Sequence, residues 1–161
     1  MGLGRGMAPF DIRYTEGLKV GYKWFDAENK QPLFAFGHGL SYTGYAYSGL
    51  KTSASGGEVK VTFSVRNTGK RAGAEIAQVY ASLPANTAEP PKRLVAWEKV
   101  QLAPGETKTV SLSIPPLHLA VFNEAKDAWE VVTGDYKLLV GGSSRETPLT
   151  ESFKTGGQAV R

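Results

Sequence analysis

The sequence predicts an all-β antiparallel sandwich. Three observations carry the prediction: apolar and polar residues alternate with period two, turn residues punctuate every run, and no convincing amphipathic helix exceeds one or two turns. The 161 residues correspond to about one domain, long enough to bury a core. Hydrophobic residues at 41% and charged residues at 21% exclude a wholly disordered or fibrous chain.

A first strand is expected over residues 45–50. Residues 58–66 alternate most cleanly, with Val59, Val61, Phe63 and Val65 on one face and Lys60, Thr62, Ser64 and Arg66 on the other. Asn67-Thr-Gly69 closes that run with turn chemistry, and 76–83 begins the next apolar stretch. Residues 84–91 hold three prolines and read as a surface loop without ladder hydrogen bonds. Around the tight turn 103–106, the runs 94–102 and 107–114 read as a hairpin. Pro115-Pro116 ends the ladder because neither residue has an N–H to donate. Residues 117–122 fit a helical turn or an extended corner equally well. A further hairpin is expected from 129–132 and 136–140, and a last edge strand from 148–153. The expected division is therefore a leader over 1–15, disordered or tag-derived, a connector over 16–44, a sandwich of seven or eight strands over 45–154, and a flexible tail over 155–161.

The connector is unusual in its rings. Positions 22–47 hold eight of the chain's 17 aromatics: Tyr22, Trp24, Phe25, Phe34, Phe36, Tyr42, Tyr45 and Tyr47. A small sandwich has one core, and its strands already supply the inward positions, so many of these rings must cover an outer face or meet another body. Two readings stay open: wrapping within one domain, or an interface.

Several chemistries are excluded or weak. With no cysteine there is no disulfide, thiolate zinc site or cysteine nucleophile. The net charge of +4 is spread singly, with Lys70-Arg71 and Lys92-Arg93 the only adjacent basic pairs, so no nucleic-acid surface is expected. No run approaches the ~20 apolar residues of a membrane span, and the opening residues lack an apolar signal region, which leaves the compartment open. The two histidines, His38 and His118, lack metal-ligand spacing, and His38 between two glycines is expected to bond a carbonyl and fix a turn. Gly37-His-Gly-Leu-Ser41 has the wrong frame for a nucleophile elbow. No catalytic residue, metal or cofactor is expected. Trp24, Trp97 and Trp129 invite comparison with a sugar-stacking platform, but burial in the core or at its rim is the reading adopted.

Longer motifs carry a resemblance. Glu16-Gly-Leu-Lys-Val-Gly-Tyr-Lys-Trp-Phe-Asp26 and Pro32-Leu-Phe-Ala-Phe-Gly-His-Gly-Leu-Ser-Tyr-Thr43 resemble the C-terminal region of family 3 glycoside hydrolases, the β-glucosidase group. Val65-Arg-Asn-Thr-Gly69, Gly73 to Tyr80, Trp97-Glu-Lys-Val, Leu102 to Thr107, Gly134-Asp-Tyr and Val140-Gly-Gly-Ser-Ser-Arg145 resemble that family's fibronectin type III-like domain, an immunoglobulin-like sandwich. Ala35 departs from the proline found in many relatives. The resemblance implies a parent that cleaves terminal β-linked glucose with two carboxylates borne on other domains. No Ser-Asp-Trp or Ser-Asp-Tyr nucleophile motif occurs here, so no catalytic residue transfers. It also implies that Tyr22, Trp24, Phe25, Phe34, Phe36, His38 and Tyr42 pack between domains. The expected role is a non-catalytic accessory domain bracing the parent's catalytic domains. The alternative is a polymer-binding module for polysaccharide or lignin, acting through exposed rings and positive charge. An isolated chain with uncovered rings is expected to keep the segment mobile or to self-associate.

Overall fold

A computed structural model describes residues 10–55, 58–155 and 157–160. In the described residues a short helix, α1 (Tyr22–Ala27), precedes ten strands. These are β1 (Tyr45–Ser55), β2 (Glu58–Asn67), β3 (Gly73–Ser82), β4 (Arg93–Leu102), β5 (Thr107–Ile114), β6 (Val121–Asn123), β7 (Ala128–Val131), β8 (Gly134–Gly141), β9 (Leu149–Thr155) and β10 (Gln158–Val160). One sheet runs β1-β2-β5, a second runs β4-β3-β8-β9, and β10-β7-β6 forms a small third ribbon. Every pairing is antiparallel. The chain is all-β, as its periodicity predicts.

Pairing follows from the apolar faces. Val59, Val61, Phe63 and Val65 of β2 are fully buried, in one cluster with Ala77, Val79 and Ala81 of β3 and Tyr136, Leu138 and Val140 of β8. Each large member contributes roughly 1.5–3 kcal/mol by leaving water, which fixes the register, since a one-residue slip would expose a whole row.

Three expectations need correction. Residues 94–102 and 107–114 do not pair as a hairpin: β4 bonds β3 in one sheet while β5 bonds β2 in the other. The turn between them carries the chain across the sandwich, so that Val100 and Leu102 meet Val110 and Ile114 in the core from opposite layers. The second hairpin fails likewise, because β7 pairs β6 and β10 whereas β8 pairs β3 and β9. At that crossing the Tyr136 hydroxyl donates to the Val132 carbonyl at 2.8 Å. Residues 158–160 lie in the expected tail but form β10 against β7, where Val160 packs on the core. The undecided segment 117–122 splits into a 3-10 turn (Pro116–His118) and β6. Of the expected leader over 1–15, residues 1–9 lie outside the described residues, and 10–15 form no helix or strand.

Asn67 joins the connector to both sheets. It is fully buried at the end of β2, where its Nδ2 donates to the carbonyls of Arg71 at 2.7 Å and Leu102 at 3.2 Å. Its Oδ1 accepts from the Gly69 N–H at 3.0 Å and from the Thr43 hydroxyl at 2.5 Å. Asn67→Ala leaves those buried partners unsatisfied and should destabilise the fold by about 2–4 kcal/mol. Chemical denaturation should show a lower midpoint with an unchanged slope; an unaltered midpoint would contradict this role.

Candidate functional site

The connector does not hang free. It lies on the outer face of the β4-β3-β8-β9 sheet, where β3 turns Gln78 and Tyr80 away from the core, yet both side chains are almost completely buried. A polar outer row left to water would alternate in burial with the inner row. Here residues 77–81 are buried without a break because the connector covers the second face.

Helix α1 supplies the cover. The Tyr22 ring stacks on Phe36 at 4.7 Å and meets Tyr80 edge-on at 5.9 Å, and its hydroxyl oxygen accepts the Leu94 N–H at 2.7 Å. Burial raises the Tyr22 and Tyr80 phenols above their ordinary range, so both stay neutral, Tyr22 accepting from Leu94 and Tyr80 donating to Gln78 Oε1. One turn on, Asp26 points at the sandwich with only 6% of its side chain exposed. Its Oδ1 lies 3.0 Å from Arg145 Nε, and its Oδ2, otherwise without a hydrogen bond, lies 3.3 Å from Lys92 Nζ. A buried carboxylate needs such partners. Arg145 also donates through Nη2 to the carbonyls of Phe25 at 3.3 Å and Lys30 at 2.9 Å, tying the C-terminal end of α1 and the residues after it to the sandwich. Lys30 in turn sits 4.3 Å from the centre of the Trp24 ring.

A second tether follows α1. The Phe36 carbonyl accepts the Ser144 N–H at 2.8 Å, and the Gly37 carbonyl accepts from Gln78 Nε2 at 3.3 Å. Gly37 has φ +81, and a Cβ there would fall 2.2 Å from Gln78 Oε1, so this approach requires glycine.

Tyr22, Trp24 and Phe25 are thus half-buried on the chain's own sandwich, and Phe36 lends one face to Tyr22. Phe34, His38 and Tyr42 point outward. Phe34 is 70% exposed and Tyr42 89%, beside Leu33 at 91% and Leu40 at 96%. The His38 ring stacks on Phe34 at 5.7 Å instead of bonding a carbonyl, and its turn is fixed by the His38 N–H to Ala35 carbonyl bond. His118 makes the ring contact expected of His38, with Nδ1 2.9 Å from the Val95 carbonyl. Trp97 and Trp129, expected in the core or at its rim, are also exposed and belong to no part of the core cluster. Sequence reasoning missed Leu33 and Leu40 because lone leucines carry no ring signal, and missed Asp26 and Arg145 because 119 positions separate them.

An open cavity of about 890 Å³ lies between residues 37–44 of the connector and the sheet. Glu75 and Glu146 reach it, and the Tyr47 hydroxyl donates to Glu75 at 2.7 Å. Burial holds the Glu75 carboxyl above its usual range. Among the described residues no group of three or more His, Asp or Glu could hold a metal ion, and no helix is long and apolar enough to cross a membrane.

If the Asp26 clamp fixes α1, Arg145→Ala should weaken connector docking by about 1–3 kcal/mol, discounted for the partial exposure of Arg145. Hydrogen exchange should then accelerate at the Leu94 and Ser144 amides, whose acceptors lie on the connector, and stay slow at Val61; uniform protection would refute the clamp.

This architecture has known counterparts. Residues 75–144 match the family described as the fibronectin type III-like domain. The chain is 40% identical to thermostable beta-glucosidase B of Acetivibrio thermocellus over 148 residues, which cover 89% of this chain and 20% of that protein. It is 41% identical to beta-glucosidase B of Emericella nidulans, over 92% of this chain and 18% of that one. Among solved structures, beta-glucosidase 3B from Thermotoga neapolitana in complex with α-D-glucose superposes with a TM-score of 0.86 at 38% identity, over 92% of this chain and 21% of that chain. The Bifidobacterium adolescentis GH3 beta-glucosidase gives 0.86 at 33% identity, over 89% and 22%. The chain spans about a fifth of the length of these relatives. Residues 75–144 thus match the fibronectin type III-like domain, and about nine-tenths of the chain is similar to a stretch making up about a fifth of proteins named beta-glucosidases.

Proposed function

We propose that this chain is the non-catalytic accessory domain of a β-glucosidase-type glycoside hydrolase, and that its connector braces the catalytic domains that cleave terminal β-glucosides. The observation that carries this reading is the split within the connector. One set of groups, the Tyr22 and Asp26 side chains and the Gly37 carbonyl, is locked onto the sandwich, while Leu33, Phe34, Leu40 and Tyr42 are held out into solvent. A segment clamped at three places presents its apolar residues on a fixed frame, which lowers the entropy cost of docking another domain. His38, stacked on Phe34, extends that surface, and Trp24, Phe25 and Phe36 stay partly accessible. Burying each outward leucine or ring against a neighbour contributes roughly 1.5–3 kcal/mol.

A second reading, contact with polysaccharide or lignin, draws support from one observation: Trp97 and Trp129 remain exposed at a place the connector does not reach.

The isolated chain should release no chromophore from a chromogenic β-glucoside, and activity lost on substituting one of its own carboxylates would overturn the proposal. Without its neighbours, the outward surface should drive self-association, seen by light scattering as mass rising with concentration. The double variant Leu40→Ser, Tyr42→Ser should stay monomeric. In an enzyme carrying this segment the same variant should lower the thermal midpoint by several degrees; an unmoved midpoint would count against bracing.

A further inference from the structure

A second concavity, of about 530 Å³, lies between β4, the 3-10 turn (Pro116–His118) and β7. Its walls include Trp97, Trp129, Leu117, His118 and Arg93, and none of its lining residues comes from the connector. Burial would be the ordinary fate of two indoles in a small sandwich. Instead Trp97 is 63% exposed and Trp129 44%. Phe122 packs edge-on against Trp129 at 5.6 Å and sets the plane of that ring.

The polar groups are placed by the fold. The Val95 carbonyl can only accept, so its 2.9 Å contact puts the proton of a neutral His118 ring on Nδ1 and leaves Nε2 as an acceptor. Arg93 is held at the wall by its Nη2 bond to the Ala120 carbonyl at 2.7 Å and lies 3.8 Å from Glu89. An apolar cleft of this size with two rings and a few oriented polar groups has the composition of a small-ligand site.

We infer that this cleft binds a short run of β-linked glucose residues. In a β-linked glucopyranose the ring substituents lie equatorially, so both faces present C–H groups that stack on an indole, while the rim hydroxyls meet acceptors and donors such as His118 Nε2 and Arg93. Two indoles on one cleft suit consecutive sugars better than a single charged or wholly apolar ligand. The inference rests on the polysaccharide reading above, narrowing it to one site and one sugar, and does not depend on bracing. Relatives of this chain are named beta-glucosidases, and one was solved with glucose in place, so a glucan is the polymer that such an enzyme would meet.

The test is titration of the purified chain with cellobiose and cellohexaose, followed by tryptophan fluorescence and by NMR of the indole N–H signals. Saturable change at Trp97 and Trp129 is expected, with the Trp24 signal unmoved and cellohexaose binding more tightly than cellobiose. Trp97→Ala, an exposed substitution that leaves the core intact, should weaken binding by about tenfold. Trp129→Ala should do the same, with circular dichroism confirming the fold. Leu40→Ser, on the connector, should leave affinity unchanged. No saturable change with cellohexaose, or equal affinity after Trp97→Ala, overturns the site. Retention on lignin that fades with salt, alongside no glucan titration, overturns the site yet leaves polymer contact through charge standing.

Discussion

Gln78 and Tyr80 impose the constraint on which the rest of the structure depends. Both sit on the outer face of β3, and neither is left to water. A buried amide must find partners, and Gln78 finds them in Gly37, Gly142 and the Tyr80 hydroxyl. Since one of those partners lies on the connector, the sandwich is incomplete without it. The connector is thus part of the fold, and its outward residues inherit the rigidity of the sheet beneath.

Charge secures what the rings begin. Asp26 is the one carboxylate of α1, and it faces two cations, Arg145 and Lys92, from separate loops of the sandwich. The net worth of such a partly buried group is modest because desolvation opposes attraction, but its direction is specific: only one rotation of the short helix brings Asp26 to both cations. Tyr22, pinned through its hydroxyl to Leu94, holds the helix in that rotation.

The strands were legible because β2, β5 and β8 each expose one face and bury the other, which writes period two into the sequence. The partners of those strands were not. A tight turn such as 103–106 reads alike whether it closes a hairpin or carries the chain between sheets, since the difference lies in hydrogen bonds to a distant strand. The double burial of β3 was not legible, because Gln78 interrupts the run from Ala77 to Ala81 and its burial makes sense only with the connector in place. Among the site residues, Phe34 and Tyr42 were visible as surplus rings, whereas Leu33 and Leu40 could be recognised only from their exposure. Trp97 and Trp129 were expected in the core or at its rim on the strength of their size, and the structure lines a cleft with them, Trp97 on the edge strand β4 and Trp129 on β7.

Hydroxyl-radical footprinting addresses the central claim most directly, comparing the isolated chain with a β-glucosidase polypeptide that contains it. Leu33, Phe34, Leu40 and Tyr42 should react readily in the isolated chain and become protected in the longer one, while Trp97 stays reactive in both. Equal reactivity of those four residues in the two polypeptides would contradict that claim.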